Sequence, residues 1–432
     1  MTEPVRIVAA GDHFVLPSLI TRAVEHEAER ATVKELKLGW PLEPFGPVAE
    51  VQEASDAEDE MIEALAGAEV LITQMGPVTE KVLAACPDLK LVVVCRGGPV
   101  NVNLDAAKRR DVRVCYAPGR NAAATAEFTV GLMLAALRRI PQAHDLLARQ
   151  GSWEGATYYT YEHSGLELED LPVGLVGYGA VGSRVARVLC AFGARVMVYD
   201  PYVHHHEIHG LRIGSLDELL RRSLVITLHA RLTAETRGLI GARELALLPQ
   251  GSVVVNAARG PLLDEEALCA ALENGHVSAA ALDTYVQEPL PPHSRLHALA
   301  DRVVLTPHLG GASRAVAEKA AAIAAAEVGR WVRGSHSLTA SPEDLSGRVR
   351  ATSTPVGPRP TPVRAHQHDW ADDTGREGAV GARAGGDRAK HSARRLQKAR
   401  HSRPSKEVGG NVRRYRCRHV HGEGRRVRPR GP

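Results

Sequence analysis

Short apolar runs alternate with helical patterns along most of the chain. Near the start, Val5 to Ala10, Ala68 to Thr73, Leu91 to Cys95 and Val112 to Tyr116 read as strands, with Thr79 to Ala85 and Leu104 to Arg110 as helices between them. Ala122 to Arg139 reads as one long helix rich in Ala and Leu, long enough to connect two lobes, and Pro141 ends or kinks it. The alternation then resumes. Strands are expected at Val173 to Val176, Arg195 to Tyr199, Leu224 to Leu228, Ser252 to Asn256, Ala279 to Leu282 and Val303 to Leu305, with helices at Leu216 to Arg222, Ala242 to Leu248 and Glu265 to Glu273. Ser313 to about Trp331 carries the last helical pattern. Strands separated by helices imply parallel sheets, so the fold class is α/β and the second set suffices for a doubly wound sheet.

The pattern stops at Gly334. From there to Pro432 there is no Ile, Phe or Met and one Trp and one Tyr, too little apolar surface to offset ordering entropy, so this segment is expected to be disordered. It holds 22 Lys and Arg against 9 Asp and Glu, so the overall charge of +4 combines a body of −9 with a tail of +13. Runs such as Arg413-Arg414-Tyr415-Arg416 and Arg425-Arg426-Val427-Arg428 suggest a nucleic-acid-binding arm. Their diffuse composition carries no recognisable binding motif, so an extension without a function of its own is the preferred reading.

The 432 residues, 44% of them hydrophobic, suffice for two or three domains. Cys86, Cys95, Cys115, Cys190, Cys269 and Cys417 are scattered singly, which predicts reduced, buried thiols and no metal site. His204-His205-His206 with His209 raises a metal reading, but consecutive side chains in a loop do not converge on an ion, and an exposed loop is expected. The N-terminus lacks the pattern of a signal peptide, and the Ala-rich run near Ala320 is too short to span a bilayer. A cytoplasmic protein is expected.

Chemistry enters at Gly177-Tyr178-Gly179-Ala180-Val181-Gly182, a Gly-x-Gly-x-x-Gly turn between an apolar run and a helical pattern. Gly177 makes the tight turn, Gly179 lets the backbone approach a pyrophosphate, and Gly182 allows close helix packing. The helix N-terminus offers unpaired N–H groups to the phosphates. Asp200 ends the next apolar run, where it can accept hydrogen bonds from a ribose diol and would repel a 2′-phosphate. The expected cofactor is therefore NAD.

With these residues, the chain from about Val5 to Arg333 closely resembles the D-isomer-specific 2-hydroxyacid dehydrogenases, the group that includes D-3-phosphoglycerate dehydrogenases. The matching segments are Arg96-Gly97-Gly98-Pro99-Val100-Asn101, Asn121 to Glu127, the glycine turn through Asp200-Pro201-Tyr202, Leu228 to Thr233, Asn256-Ala257-Ala258-Arg259-Gly260, Ala281 to Tyr285 with Glu288-Pro289, and Thr306 to Gly311. The resemblance implies two Rossmann-like lobes, with an NAD-binding domain over residues 121–310 inserted into a flavodoxin-like substrate domain of residues 1–120 and 311–333. It also implies a homodimer joined largely through the nucleotide domains. Residues 334–432 form the basic tail.

The residue types suit the reaction the resemblance implies, the interconversion of a 2-oxo acid and a D-2-hydroxy acid. Reduction puts hydride on C2 while negative charge develops on its oxygen, so the site needs a fixed cation and a general acid. Arg259 can make paired hydrogen bonds to carboxylate and carbonyl oxygens. His308 can donate the proton, and Glu288 would hold the imidazole and stabilise its protonated form. Singly, each is an ordinary surface or loop residue; in family order they form the catalytic triad. By resemblance the Arg96-Gly97-Gly98 loop presents N–H groups to the substrate carboxylate, Asp283 contacts the nicotinamide carboxamide, and His229 and Ala257 lie along the cofactor cleft.

Two features narrow the reading. The loop Thr73-Gln74-Met75-Gly76-Pro77 carries no basic residue, which favours a smaller or uncharged acid over 3-phosphoglycerate. Formate dehydrogenases carry Gln where Glu288 stands. The rival from another class is the C-terminal-binding-protein corepressors, which resemble these enzymes, sense NAD(H) and retain Arg, Glu and His; no evident docking motif in the tail favours that reading.

Overall fold

The computed structural model describes residues 3–40, 46–153, 164–203 and 208–335. Its first part is a parallel sheet of β1 (Val5–Gly11), β2 (Ala31–Lys37), β3 (Val70–Thr73), β4 (Leu91–Val94) and β5 (Arg113–Tyr116), in the order β2-β1-β3-β4-β5. The helices α1 (Pro17–Glu27), α2 (Glu58–Leu65), α3 (Glu80–Ala85) and α4 (Leu104–Arg109) alternate with these strands. This is the flavodoxin-like strand order. β3 and β4 are buried throughout because helices cover both faces, which is why they read as unbroken apolar runs. Thr79 and Asn103 cap α3 and α4 by accepting hydrogen bonds from Val82 N and Ala106 N.

Three of these elements have weak sequence signals. β2 is an edge strand with no fully buried residue, so its polar Thr32, Lys34, Glu35 and Lys37 break any apolar run. α1 commits only Pro17, Ile20 and Val24 to the core, and α2 only Met61, Ala64 and Leu65.

The chain then enters α5 (Ala122–Leu137), which is shorter than the single helix expected to Arg139. Arg139 takes a left-handed conformation at φ 53°, and a separate helix, α6 (Ile140–Ala148), starts with Pro141 in its first turn, where a missing N–H costs nothing. The second sheet follows, built from β6 (Pro172–Val176), β7 (Arg195–Tyr199), β8 (Leu211–Arg212), β9 (Val225–Leu228), β10 (Ser252–Asn256), β11 (Val277–Leu282) and β12 (Val303–Leu305). Its seven strands are all parallel, in the order β12-β11-β10-β9-β6-β7-β8, the doubly wound arrangement that the sequence predicts. Its connections include α7 (Gly182–Ala191), α8 (Leu216–Arg222), α9 (Ala242–Leu247), α10 (Glu265–Glu273) and α11 (Arg295–Ala298).

Packing ties the first and last described helices to one sheet. α5 lies on β10, β11, β12 and α7, burying Ala126, Val130 and Met133 against Val173, Val255 and Ala281. The last helix, α12 (Arg314–Val332), returns to the first sheet and buries Ala317, Ala320, Ala321, Ala324, Ala325 and Val328 against α1, β4 and β5. Its alanine face lets it lie close to the sheet: the Cys95 thiol reaches the Ala320 carbonyl at 3.8 Å.

Cys86, Cys95, Cys115 and Cys269 are buried as expected, but Cys190 is exposed. It follows Leu189 on α7, whose buried face is Val185, Ala186 and Leu189, and so points away from the core. His204, His205, His206 and the tail from residue 336, including Cys417, lie outside the described residues. No described helix is long and apolar enough to cross a membrane.

Candidate active site

Both sheets have a switch point where strand order reverses, between β1 and β3 and between β6 and β9, and ligands of such folds bind beyond the carboxyl ends there. At the second, Gly177 leaves β6 at φ +98°, with its N–H donated to Tyr199 O at 2.9 Å. A Cβ on Gly177 would lie 2.7 Å from the backbone of His229 and Ala230, and one on Gly182 would lie 2.4 Å from Gly177 O, so both positions require glycine. A Cβ on Gly179 would meet nothing within 4 Å, which leaves open space on the loop where a pyrophosphate must approach.

The rest of this loop is fixed by its neighbours. Val181 precedes the first residue of α7, and Ala180 O accepts from Arg184 Nη1 at 2.7 Å. Tyr178 N donates to Asp200 Oδ2 at 2.7 Å, and Asp200 Oδ1 accepts from Tyr202 N at 2.8 Å. Tyr178 is buried, and its hydroxyl accepts from His209 N at 2.7 Å. The carboxylate expected to meet a ribose therefore stands beside the glycine turn, each oxygen holding one amide and retaining acceptor capacity. His229 N bonds to Val176 O at 2.8 Å, which sets it beside the turn, and its Nε2 lies 3.0 Å from Thr227 Oγ1. Burial pulls the His229 pKa down to about 4. Ala257 is buried just beyond the end of β10. Together these residues fit a dinucleotide.

A second group of predicted residues gathers in a cavity of about 390 Å³ lined by Glu53, Arg259, Gly260, Tyr285, Glu288 and His308, among others. Asn256 shapes the turn that carries Arg259: its Nδ2 donates to Arg259 O at 2.9 Å and its Oδ1 accepts from Ala258 N at 3.1 Å. Gly260 then packs so closely that a Cβ would fall 1.9 Å from the Tyr285 carbonyl. Arg259 itself is exposed in the cleft, with Nη1 donating to Ala258 O at 2.7 Å.

Glu288 and His308 form a direct pair, His308 Nδ1 to Glu288 Oε2 at 2.7 Å, while Glu288 Oε1 accepts from Tyr285 N at 3.0 Å. Burial pushes the Glu288 carboxyl upward, but the hydrogen bond and charge of His308, the Tyr285 amide and the charge of Arg259 outweigh it and hold the pKa below its ordinary value. His308 sits at φ 53°, a left-handed conformation rare for a side-chain-bearing residue.

The remaining predicted residues stand differently. Asp283 is 1% exposed, and its carboxylate accepts from Thr306 Oγ1, Leu309 N and Gly310 N at 2.6–2.8 Å. The hydrogen bonds of its carboxylate are thus with the turn that carries His308. The Arg96 side chain is held by an ion pair to Glu53 and by a 2.9 Å bond from Nη1 to Glu53 O. Burial, then the charges of Arg120 and Arg259, pull its pKa down to about 10. Gly97 and Gly98 leave open space where a Cβ would stand. These three do not line the cavity, but Glu53 joins Arg96 to its wall.

Glu53 has no sequence signal, because it lies in a polar stretch without periodicity and takes a left-handed φ of 52°. Arg120 is detectable as a basic residue in the Pro118-Gly119-Arg120-Asn121 connection between β5 and α5. Among the described residues, no group of three or more His, Cys, Asp or Glu is arranged to hold a metal ion.

Comparison with known proteins agrees with this architecture. Residues 130–310 match the family model for the NAD binding domain of D-isomer specific 2-hydroxyacid dehydrogenases. The chain is 36% identical over 292 residues to D-3-phosphoglycerate dehydrogenase of Methanocaldococcus jannaschii, covering 66% of this chain and 54% of that protein. It spans about half the length of the D-3-phosphoglycerate dehydrogenases it matches. A putative 2-hydroxyacid dehydrogenase of Bacillus subtilis, YoaD, is 35% identical over 296 residues, and the match covers 66% of this chain and 85% of YoaD. The crystal structure of the TT0316 protein from Thermus thermophilus superimposes with a TM-score of 0.64 at 31% identity, covering 78% of this chain and 99% of that one. The chain belongs to the D-isomer specific 2-hydroxyacid dehydrogenase family.

Proposed function

We propose that the protein is an NAD-dependent oxidoreductase that interconverts a 2-oxo acid and a D-2-hydroxy acid. The observation that carries this reading is the convergence of Arg259 and the Glu288–His308 pair on one cavity. The glycine turn and Asp200 would hold NAD, and the reduced cofactor supplies the hydride that reaches C2. Arg259 binds the substrate carboxylate and the 2-oxo oxygen through its planar guanidinium. Glu288 fixes the imidazole through Nδ1, which assigns proton exchange with the 2-oxo oxygen to Nε2. The balance is one hydride to C2, one proton from His308 to oxygen, and one proton taken up from solvent to restore His308. The Gly97-Gly98 amides assist at the carboxylate. Asp283 serves the cofactor end of the cleft mainly through the turn it holds.

The substrate lobe is residues 1–120 and 311–333 and the nucleotide lobe residues 121–310, with the cleft between them. Dimerisation through the nucleotide lobe is supported by α6, which buries none of its residues and leaves Ile140 and Leu147 55% and 45% exposed, with Trp153 69% exposed nearby. A cytoplasmic setting is supported by thiols with no disulfide among the described residues.

The test is NADH consumption with glyoxylate, hydroxypyruvate, phosphohydroxypyruvate, pyruvate and branched 2-oxo acids, by wild type and His308→Ala. Turnover at an ordinary enzymatic rate that falls about 10²–10⁴-fold in the variant, with NADH binding retained, supports the reading. No turnover with any acid, or turnover unaffected by the substitution, overturns it.

A further inference from the structure

The Nε and Nη1 atoms of Arg120 are buried without a hydrogen-bond partner among the described residues. A guanidinium carries five donors and stays charged, so burying two of its nitrogens without acceptors is costly unless a ligand supplies them. Arg120 lies on the connection that leaves the carboxyl edge of the first sheet, between β5 and α5. The nearby acid is Asp12, fully buried beyond the end of β1 at that sheet's switch point. Asp12 Oδ1 accepts from Phe14 N and Val15 N at 2.7 and 2.9 Å, Oδ2 is unpartnered, and no ion pair joins it to Arg120. Burial raises the Asp12 pKa, which weakens it as a counter-ion.

Arg120 also acts on Arg96, as does Arg259 from the other side of the cleft. Arg96 is neutralised by Glu53 on the cavity wall, and Arg259 is assigned to the 2-oxo carboxylate. Arg120, which does not itself line the cavity, remains as a cation without an ion pair among the described residues, supplied by a different loop from the Thr73–Pro77 segment that lacks a basic residue.

Resting on the 2-oxo acid reading of the cleft, we propose that Arg120 is a specificity-determining residue that receives a second anionic group, a carboxylate or a phosphate, at the far end of the substrate. This departs from the smaller or uncharged acid that the Thr73–Pro77 loop suggests. The planar fork of Arg120 suits either group, and the two are separated by the substrates themselves.

The experiment compares kcat/KM within two matched pairs, phosphohydroxypyruvate with hydroxypyruvate and oxaloacetate with 2-oxobutyrate, for wild type, Arg120→Gln and Arg120→Lys. Wild type is expected to prefer the member with the second anionic group in at least one pair, which identifies the group. In Arg120→Gln that preference falls about 10- to 100-fold, as for loss of a charge-assisted hydrogen bond, with Arg120→Lys intermediate. A preference for the member that lacks the second anionic group in both pairs, or an equal loss on both members, overturns the proposal.

Asp12→Asn keeps an acceptor for the Phe14 and Val15 amides while removing the internal counter-charge, so the preference is retained or rises. A fall matching that of Arg120→Gln shows instead that Asp12 and Arg120 only support each other structurally. The rise in Tm with D-malate against D-lactate, in the presence of NAD, reads the same site without turnover. A larger rise with D-malate that is lost in Arg120→Gln upholds the anion site even if no acid is turned over, an outcome that overturns only the dehydrogenase reading. Equal rises with the two acids overturn the site itself.

Discussion

Asp283 anchors the turn that carries His308. His308 N donates to Asp283 O at 2.9 Å, and the Asp283 carboxylate accepts from Thr306, Leu309 and Gly310 on either side of the imidazole. A left-handed residue persists only when its surroundings hold it, and here one buried carboxylate accepts three of the bonds that fix the turn. Asp283→Ala strands a hydroxyl and two amides and is expected to lower stability in urea by on the order of 2–4 kcal/mol. The same variant should lose kcat more than KM changes, since the imidazole loses its position while Arg259 is untouched. An unaltered urea midpoint with normal kcat would show that the turn holds itself.

Gly260 governs the direction of Arg259 in a comparable way. The Cβ of Gly260→Ala falls within bonding distance of the Tyr285 carbonyl, so the backbone must move at Gly260, next to Arg259, or at Tyr285, three residues from Glu288. A displacement of about 1 Å at such a site is expected to reduce kcat/KM about 10²-fold. A variant that folds with a wild-type Tm and normal kcat/KM would show that the two loops are not coupled.

The strands that are most readable in the sequence are those buried throughout. β10 falls where its apolar run places it, because burial and pattern have the same cause. β2 and α1 escape because an edge strand and a half-exposed helix give few positions to the core. Among site residues, Gly177, Asp200, Arg259, Glu288 and His308 are legible because a turn, a strand end or the proposed catalytic pair demands a particular residue type. Glu53 is not, because its importance comes from meeting Arg96 across 43 positions of chain, a relation that no local pattern carries. Arg120 shows the intermediate case, visible as a charge but given meaning only by its burial without partners.

The Glu288–His308 pair should leave a signature in the pH dependence of stability. Folding lowers the Glu288 pKa from its ordinary 4.5, so the carboxylate's contribution is fully present above about 4.5 and is lost as pH falls through the folded value beneath it. Urea midpoints of wild type and Glu288→Gln should therefore differ at about pH 5, where the carboxylate is ionised, and converge at more acid pH. A gap that persists undiminished at pH 3 would mean that shape, not charge, is what Glu288 contributes.

Cofactor choice rests on how Asp200 divides its lone pairs. Each oxygen already accepts one amide, from Tyr178 and from Tyr202, which orients the carboxylate and leaves acceptor capacity for a ribose diol. A 2′-phosphate in the same place would face a fixed negative charge, so the wild-type protein should use NADH in preference to NADPH. Asp200→Ala removes the charge and the acceptors together: NADH binding should weaken about tenfold while NADPH gains, as judged by KM for each cofactor. Asp200→Asn separates the two effects, because it keeps an acceptor for the Tyr178 amide and removes only the repulsion. If charge decides the preference, the asparagine variant gains NADPH use with a smaller loss of NADH than the alanine variant. If both variants retain the wild-type ratio, the discrimination lies elsewhere on the loop after β7.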